Sequence, residues 1–156
     1  IESDINLIVI HGISLPPGEY GSNNIDKLFL NNLDPNEHKY FNEISDLKVS
    51  SHFLIERSGK LKQFVSIKNK AWHAGVSSFE GKKDCNDFSI GIELEGTDSS
   101  MYEINQYNKL IDLCKTLMQN YPNINKQKIV GHSDISPGRK TDPGESFDWN
   151  FFKSKI

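Results

Sequence analysis

The sequence predicts an α/β fold, a central mixed β-sheet with helices packed on it, and two stretches carry most of that expectation. Phe88–Glu95 alternates, with Phe88, Ile90, Ile92 and Leu94 on one side and Ser89, Gly91, Glu93 and Glu95 on the other, the pattern of a strand with one apolar face. Glu103–Asn120 sets Ile104, Tyr107, Leu110, Ile111, Cys114, Leu117 and Met118 at helical spacing. Strands and helices mix around them without a regular βα repeat, which favours a mixed sheet. With 156 residues, no internal repeat and no low-complexity tract, the chain reads as a single domain over 1–156 with room for a proper core.

Taken in order, the first strand is Leu7–Ile10. A long polar region, Ser14–Lys48, follows, with turn signals at Pro16-Pro17-Gly18 and Leu33-Asp34-Pro35 and short helices expected at Ile25–Leu30 and Glu37–Ile44. Loops of this length within a compact domain are usually functional or disordered. This one is expected to cover a site and shift with ligand, the alternative being a static loop packed by Phe29, Leu30 and Phe41. His52–Arg57 and Lys60–Ile67 flank Ser58-Gly59 as a hairpin with a two-residue turn. Ser100 and Glu103 have the spacing of a capping box for the long helix, and Tyr121-Pro122 stops it. Lys128–Gly131 is a short strand, and Asp148 caps a terminal helix through Phe151 and Phe152.

Composition narrows the function classes. A formal net charge of −3 argues against binding nucleic acid through general electrostatics, and no apolar run is long enough to span a membrane. Cys85 and Cys114 form no zinc-type spacing, and Cys114 falls on the apolar stripe of its helix as a buried thiol. Unpaired thiols favour a reducing, cytoplasmic setting. The chain contains no signal-like apolar segment, but it opens on Ile1 without a methionine, which leaves a removed leader and a periplasmic location open. We expect a monomer.

Chemistry concentrates at the ends of apolar runs. His11 ends Leu7-Ile8-Val9-Ile10, and His132 follows Ile129-Val130-Gly131. Asp142 lies on a Pro/Gly-bracketed loop, with Lys140 two residues before it, so in an extended stretch the two side chains share a face. Two imidazoles and a carboxylate suit zinc with an open fourth position. Each residue alone has a plainer explanation: a structural histidine, a turn acid, a solvated lysine. Glu93 would sit on the polar face of its strand, where Ser89 and Gly91 leave room for a ligand. Trp72 reads equally as a sugar-stacking platform or a core residue. His73 reads as a supporting residue more than a ligand, and His38 and His52 compete for the same roles.

The ordered motifs Val9-Ile10-His11-Gly12-Ile13-Ser14-Leu15-Pro16-Pro17-Gly18, His52-Phe53-Leu54-Ile55, Trp72-His73-Ala74-Gly75-Val76-Ser77, Asn86–Gly96 and Gly131–Gly144 together resemble the AmpD-type N-acetylmuramoyl-L-alanine amidases. That group is a branch of the zinc amidase and peptidoglycan-recognition superfamily, and the resemblance spans nearly the whole chain. It implies an amidase-like fold and one Zn²⁺ per chain held by His11, His132 and Asp142. It implies Glu93 as acid/base and Lys140 as oxyanion stabiliser. Tyr40 matches a tyrosine near the family's metal centre, and Trp72 and Arg139 are expected substrate contacts. The implied reaction is hydrolysis of the amide joining the muramyl lactyl group to L-alanine of the stem peptide, on 1,6-anhydro-muramyl peptides recycled through the cytosol. Ser133 and Lys82-Lys83-Asp84 depart from the family pattern, the first where relatives commonly carry Cys, the second where they are richer in Arg. A recognition module that binds without cutting, and a periplasmic amidase acting on intact wall, are the alternatives.

Overall fold

The structure, a computed structural model, describes residues 4–156. Along the described residues run β1 (Leu7–Ile13), α1 (Asn24–Phe29), α2 (Lys39–Ile44), β2 (Phe53–Ile55), β3 (Leu61–Gln63), β4 (Ser78–Phe79), β5 (Lys82–Lys83), β6 (Ser89–Glu95), α3 (Ile104–Asn120), β7 (Ile129–Gly131), α4 (His132–Ile135) and α5 (Trp149–Lys155). Among them the main sheet has the order β3-β2-β6-β1-β7, parallel throughout except for β3, which pairs antiparallel with β2 at one edge. The mixed sheet with packed helices is as the sequence predicted. The hairpin β4–β5 was not foreseen, since strands this short carry no alternation to read.

Parity divides the central strands between two cores. Ile8 and Ile10 of β1 and Ile90, Ile92 and Leu94 of β6 face Tyr107, Leu110, Ile111, Cys114 and Leu117 of α3, with Phe152 of α5 closing the layer. Each such aliphatic or aromatic side chain contributes about 1.5–3 kcal/mol by leaving water. The start of α3 is stitched to the sheet by Gln106, whose Oε1 accepts from the Glu103 N–H at 3.0 Å while its amide donates to Glu95 O at 2.9 Å. The cap therefore sits at Glu103 and Gln106, three residues beyond the expected Ser100 and Glu103, where Gln106 bonds the helix end to the ends of β2 and β6.

Leu7 and Val9 face the other way and pack with Ala74, Cys85, Phe88 and Ile135. Phe88 thus leaves the row in which the alternation had placed it. Its backbone (φ −137°, ψ 13°) follows a turn of 3₁₀ helix at Cys85–Asp87 and is not extended, so the alternation starts only at Ser89. The space expected for a ligand beside Ser89 and Gly91 is occupied by the chain itself. A Cβ added at Gly91 would lie 2.5 Å from His73 Cγ, so the missing side chain makes room for an imidazole.

The β2–β3 connection is also longer than expected. Glu56 N–H bonds Lys60 O, leaving Arg57-Ser58-Gly59 as a three-residue loop with Gly59 at φ +89°. Such loops end on a left-handed residue, a conformation glycine adopts without cost. The Ser14–Lys48 region folds as a cap with a core of its own: Leu15, Ile25, Leu28, Phe29, Leu33 and Phe41 close on Leu54 of β2. Its helices match the two expected ones within a few residues. Lys62 of β3 anchors it further, reaching Asp26 of α1 at 2.7 Å. That packing argues for a fixed wall against the moving cover that length alone suggested.

Candidate metal centre and groove

His11 and Glu93 are direct register partners on parallel strands β1 and β6, so strand parity puts both side chains on one face. His132 is the first residue of α4, immediately beyond β7. Asp142 arrives on the loop that follows α4. Its carbonyl accepts from Ser133 N–H at 3.0 Å, and the next carbonyl, of Pro143, accepts from Tyr102 Oη at 2.7 Å. Among the described residues, His11, His132 and Asp142 each bring a potential ligand atom within 4.8 Å of the others.

The donor chemistry of this cluster fits a divalent cation. His132 Nε2 lies 3.0 Å from Ala74 O, which can only accept, so Nε2 carries a proton and Nδ1 is the nitrogen turned to the cluster. That Nδ1 stands 3.0 Å from His11 Nδ1 and 3.2 Å from the Asp142 carboxylate. Burial pushes the His11 imidazole down to about 4, so it is neutral near pH 7. Burial pulls the Asp142 carboxyl upward, but its contacts with the two histidines outweigh it and hold Asp142 well below the ordinary carboxylate range. Two imidazole nitrogens and an ionised carboxylate converging on one point form an arrangement that a cation between them holds together. Two nitrogens and one oxygen, with a side open to a groove, match the donor set of a catalytic zinc site.

Glu93 stands beside the cluster, with Oε1 3.9 Å from His11 Nδ1. Among the described residues its Oε2 is buried and has no hydrogen-bond partner. Burial pushes its carboxyl well above the usual range; Asp142 adds to the shift and Lys140 opposes it. An unpaired buried polar oxygen normally costs about 1–3 kcal/mol, and more when the group is charged. It is tolerated where a ligand or water completes it.

These residues form the floor of a groove of about 680 Å³, into which His11, Glu93, His132, Lys140 and Asp142 all open. Tyr40 of α2 and Trp72 line its walls, and Leu28, Phe29, Leu47 and Val49 give the cap side an apolar surface. Trp72 is 56 % exposed, with Lys70 Nζ 4.4 Å above its ring, so it presents an open aromatic face and is not a core residue. Arg139 is placed differently from its expected role as a substrate contact. It does not line this groove, and its Nη2 donates to Ala74 O at 2.6 Å and Val76 O at 3.1 Å, strapping that segment down.

The other histidines sort by partner. His38 caps α2, accepting from Tyr40 N–H at 3.1 Å, and is exposed. His52 accepts from Gly91 N–H at 3.0 Å and bonds Asn69 O at 2.9 Å, which ties it to strand β6 and the Asn69 loop. His73 lies under the cluster with Nδ1 2.8 Å from His11 Nε2, the supporting position expected of it. Sequence reasoning missed Tyr102 and Asn86. Asn86 Oδ1 accepts from both His73 and Ala74 N–H groups, and neither residue belongs to a pattern readable along the chain.

Comparison with known proteins gives these features a context. The family of N-acetylmuramoyl-L-alanine amidases matches residues 2–145. A 1,6-anhydro-N-acetylmuramyl-L-alanine amidase, AmpD, of Haemophilus influenzae is 51% identical over 98% of this chain and 83% of its own length. A crystal structure of a selenomethionine AmpD derivative superposes with a TM-score of 0.96 at 50% identity, covering 99% of this chain and 86% of that one. The Escherichia coli amidase AmiD, in complex with the substrate anhydro-N-acetylmuramic acid-L-Ala-D-γ-Glu-L-Lys, superposes at 0.75 with 29% identity, over 97% of this chain and 57% of that one.

Proposed function

The chain belongs to the N-acetylmuramoyl-L-alanine amidase family, and from that premise we propose a zinc-dependent reaction on one substrate class. The enzyme hydrolyses the amide between the lactyl group of 1,6-anhydro-N-acetylmuramic acid and L-alanine of the stem peptide. The observation that carries this reading is the His11, His132 and Asp142 cluster beside an unpartnered Glu93 at the floor of one groove. The relatives at about half identity named for the anhydro substrate support its finer specificity.

His11, His132 and Asp142 would hold the metal. A zinc ion in that place supplies Lewis acidity, acidifying water toward neutrality and polarising a carbonyl. Glu93 takes the proton of the attacking water and returns it to the alanine nitrogen as the C–N bond breaks. Its raised pKa suits both halves of that transfer. Lys140 places an ammonium where the carbonyl oxygen becomes negative. The products are the muramyl carboxylate and a peptide with a free amine. Trp72 offers its open face to the sugar, and Tyr40 bounds the groove beside the metal ligands.

We assign the activity to a monomer in the cytosol, in recycling of cell-wall fragments. Cys85 and Cys114, both free and buried, suit a reducing compartment. Among the described residues no helix is long and apolar enough to cross a membrane.

Mass spectrometry of digests tests the proposal. Anhydro-muramyl tripeptide should yield free tripeptide, the reaction should stop with a chelator, and a tripeptide on ordinary reducing-end muramic acid should be cleaved with much lower kcat/KM. Equal kcat/KM on the two substrates would remove the anhydro specificity, and turnover unaffected by chelator would remove the metal.

A further inference from the structure

His73 touches His11 from below, and its other nitrogen leads into the interior. His73 Nε2 is 3.2 Å from Ser89 Oγ, and Ser89 Oγ is 2.5 Å from Cys85 O. Cys85 O has no proton to give, so the Ser89 hydroxyl donates to it and offers only a lone pair to His73. His73 Nε2 must then be the donor to Ser89. His73 is buried against His11, His52 and Ser89, and among the described residues no carboxylate pairs with it, so it is neutral and carries one ring proton. With that proton on Nε2, Nδ1 can only accept, and what faces it is His11 Nε2. Every link of the chain thus runs one way, from His11 through His73 and Ser89 to a backbone carbonyl.

We propose that His73 and Ser89 are positioning residues that fix the tautomer of His11, keeping its proton on Nε2 and its Nδ1 lone pair turned toward His132 and Asp142. The inference rests on the reading of His11 as a metal ligand. The relay is built into the sheet. Ser89, Gly91 and Glu93 are successive same-face residues of β6, and Leu7, Val9 and His11 are their register partners on β1. Ser89 supplies the terminal acceptor, Gly91 the space for the ring, and Glu93 the carboxylate beside the metal ligands. Asn86 Oδ1 accepts from the His73 backbone N–H at 3.0 Å and holds it in place. One strand therefore positions both the proton-transfer group and the hydrogen-bond chain behind a ligand. Partners of this kind raise ligand basicity, and their loss commonly weakens metal binding about 10–100-fold.

Shape-matched variants separate this role from packing. His73→Asn keeps an acceptor near the place of Nδ1, whereas His73→Leu has nearly the same shape and none. Zinc dissociation constants are read by chelator competition, and the His11 tautomer by long-range ¹⁵N–¹H NMR of the metal-free protein. Wild type should show a single Nε2–H tautomer of His11. His73→Leu should bind one zinc about 10–100-fold more weakly and populate the Nδ1–H form, with His73→Asn between it and wild type. Equal weakening in Asn and Leu variants, or an unchanged tautomer in Leu, would mean that His73 only fills space. Ser89→Ala leaves the ring in place should the His73 variants not fold. It should let His73 reverse and His11 populate Nδ1–H, and an unchanged tautomer there overturns the relay. If wild type itself binds no zinc, the metal reading fails, while the tautomer result still stands or falls separately.

Discussion

Glu93 and Lys140 reach one groove from different kinds of element, a central strand and a surface loop, and their replacements should behave differently in the folded protein. Glu93→Gln keeps the shape of a buried side chain and leaves the three ligands in place, so zinc content should stay at that of wild type. Losing the proton carrier should lower kcat by about 10²–10⁴. Turnover near the wild-type rate would show that another group moves the proton. Lys140 is exposed, so Lys140→Ala should leave the melting temperature nearly unchanged. The charge it faces develops only in the transition state, so kcat should fall about 10²–10³ while KM moves little. A change confined to KM would make Lys140 a binding residue. At this scale the sequence was legible where a residue ends an apolar run, as His11 and His132 do. The part His73 plays was legible only in outline, because its meaning depends on a hydrogen bond to a residue 62 positions away.

Strand β6 is the element on which most of the site depends, and Gly91 is where it tolerates least. A Cβ at that position meets His73 Cγ at 2.5 Å and Nδ1 at 2.7 Å, and the residue is buried. Gly91→Ala should therefore destabilise the fold by about 1–3 kcal/mol in chemical denaturation, as overpacked cores do. Zinc affinity should weaken along with stability. An unchanged denaturation midpoint would mean that the ring has room to shift. The alternation of Phe88–Glu95 announced this strand, but alternation cannot say whether small polar-face residues make space for a ligand or for the chain's own imidazole. The cap poses a parallel problem. The length and polarity of Ser14–Lys48 suggested a moving cover, yet its apolar residues, spread thinly along the sequence, gather into a core seated on Leu54. Amide hydrogen exchange across Ser14–Lys48 should accordingly be equal with and without product. Protection that rises on product binding would restore the moving cover.

Over the whole molecule, parallel pairing of β1 with β6 and β7 brings His11, Glu93 and the start of α4 to one end of the sheet. The Asp142 loop then closes the cluster. That convergence is a long-range property, and the motifs predicted it only because their order resembles a known family; spacing along the chain could not have placed positions 11, 132 and 142 together. The central claim is that this convergence holds one zinc ion on which the amidase activity depends. Titrating zinc into metal-stripped protein, with bound metal and anhydro-muramyl peptide hydrolysis measured in the same samples, tests it most directly. The account predicts activity that is absent without metal, rises in proportion to bound zinc and levels off at one ion per chain. Full activity in the stripped protein, or activity that levels off at a different stoichiometry, would contradict it.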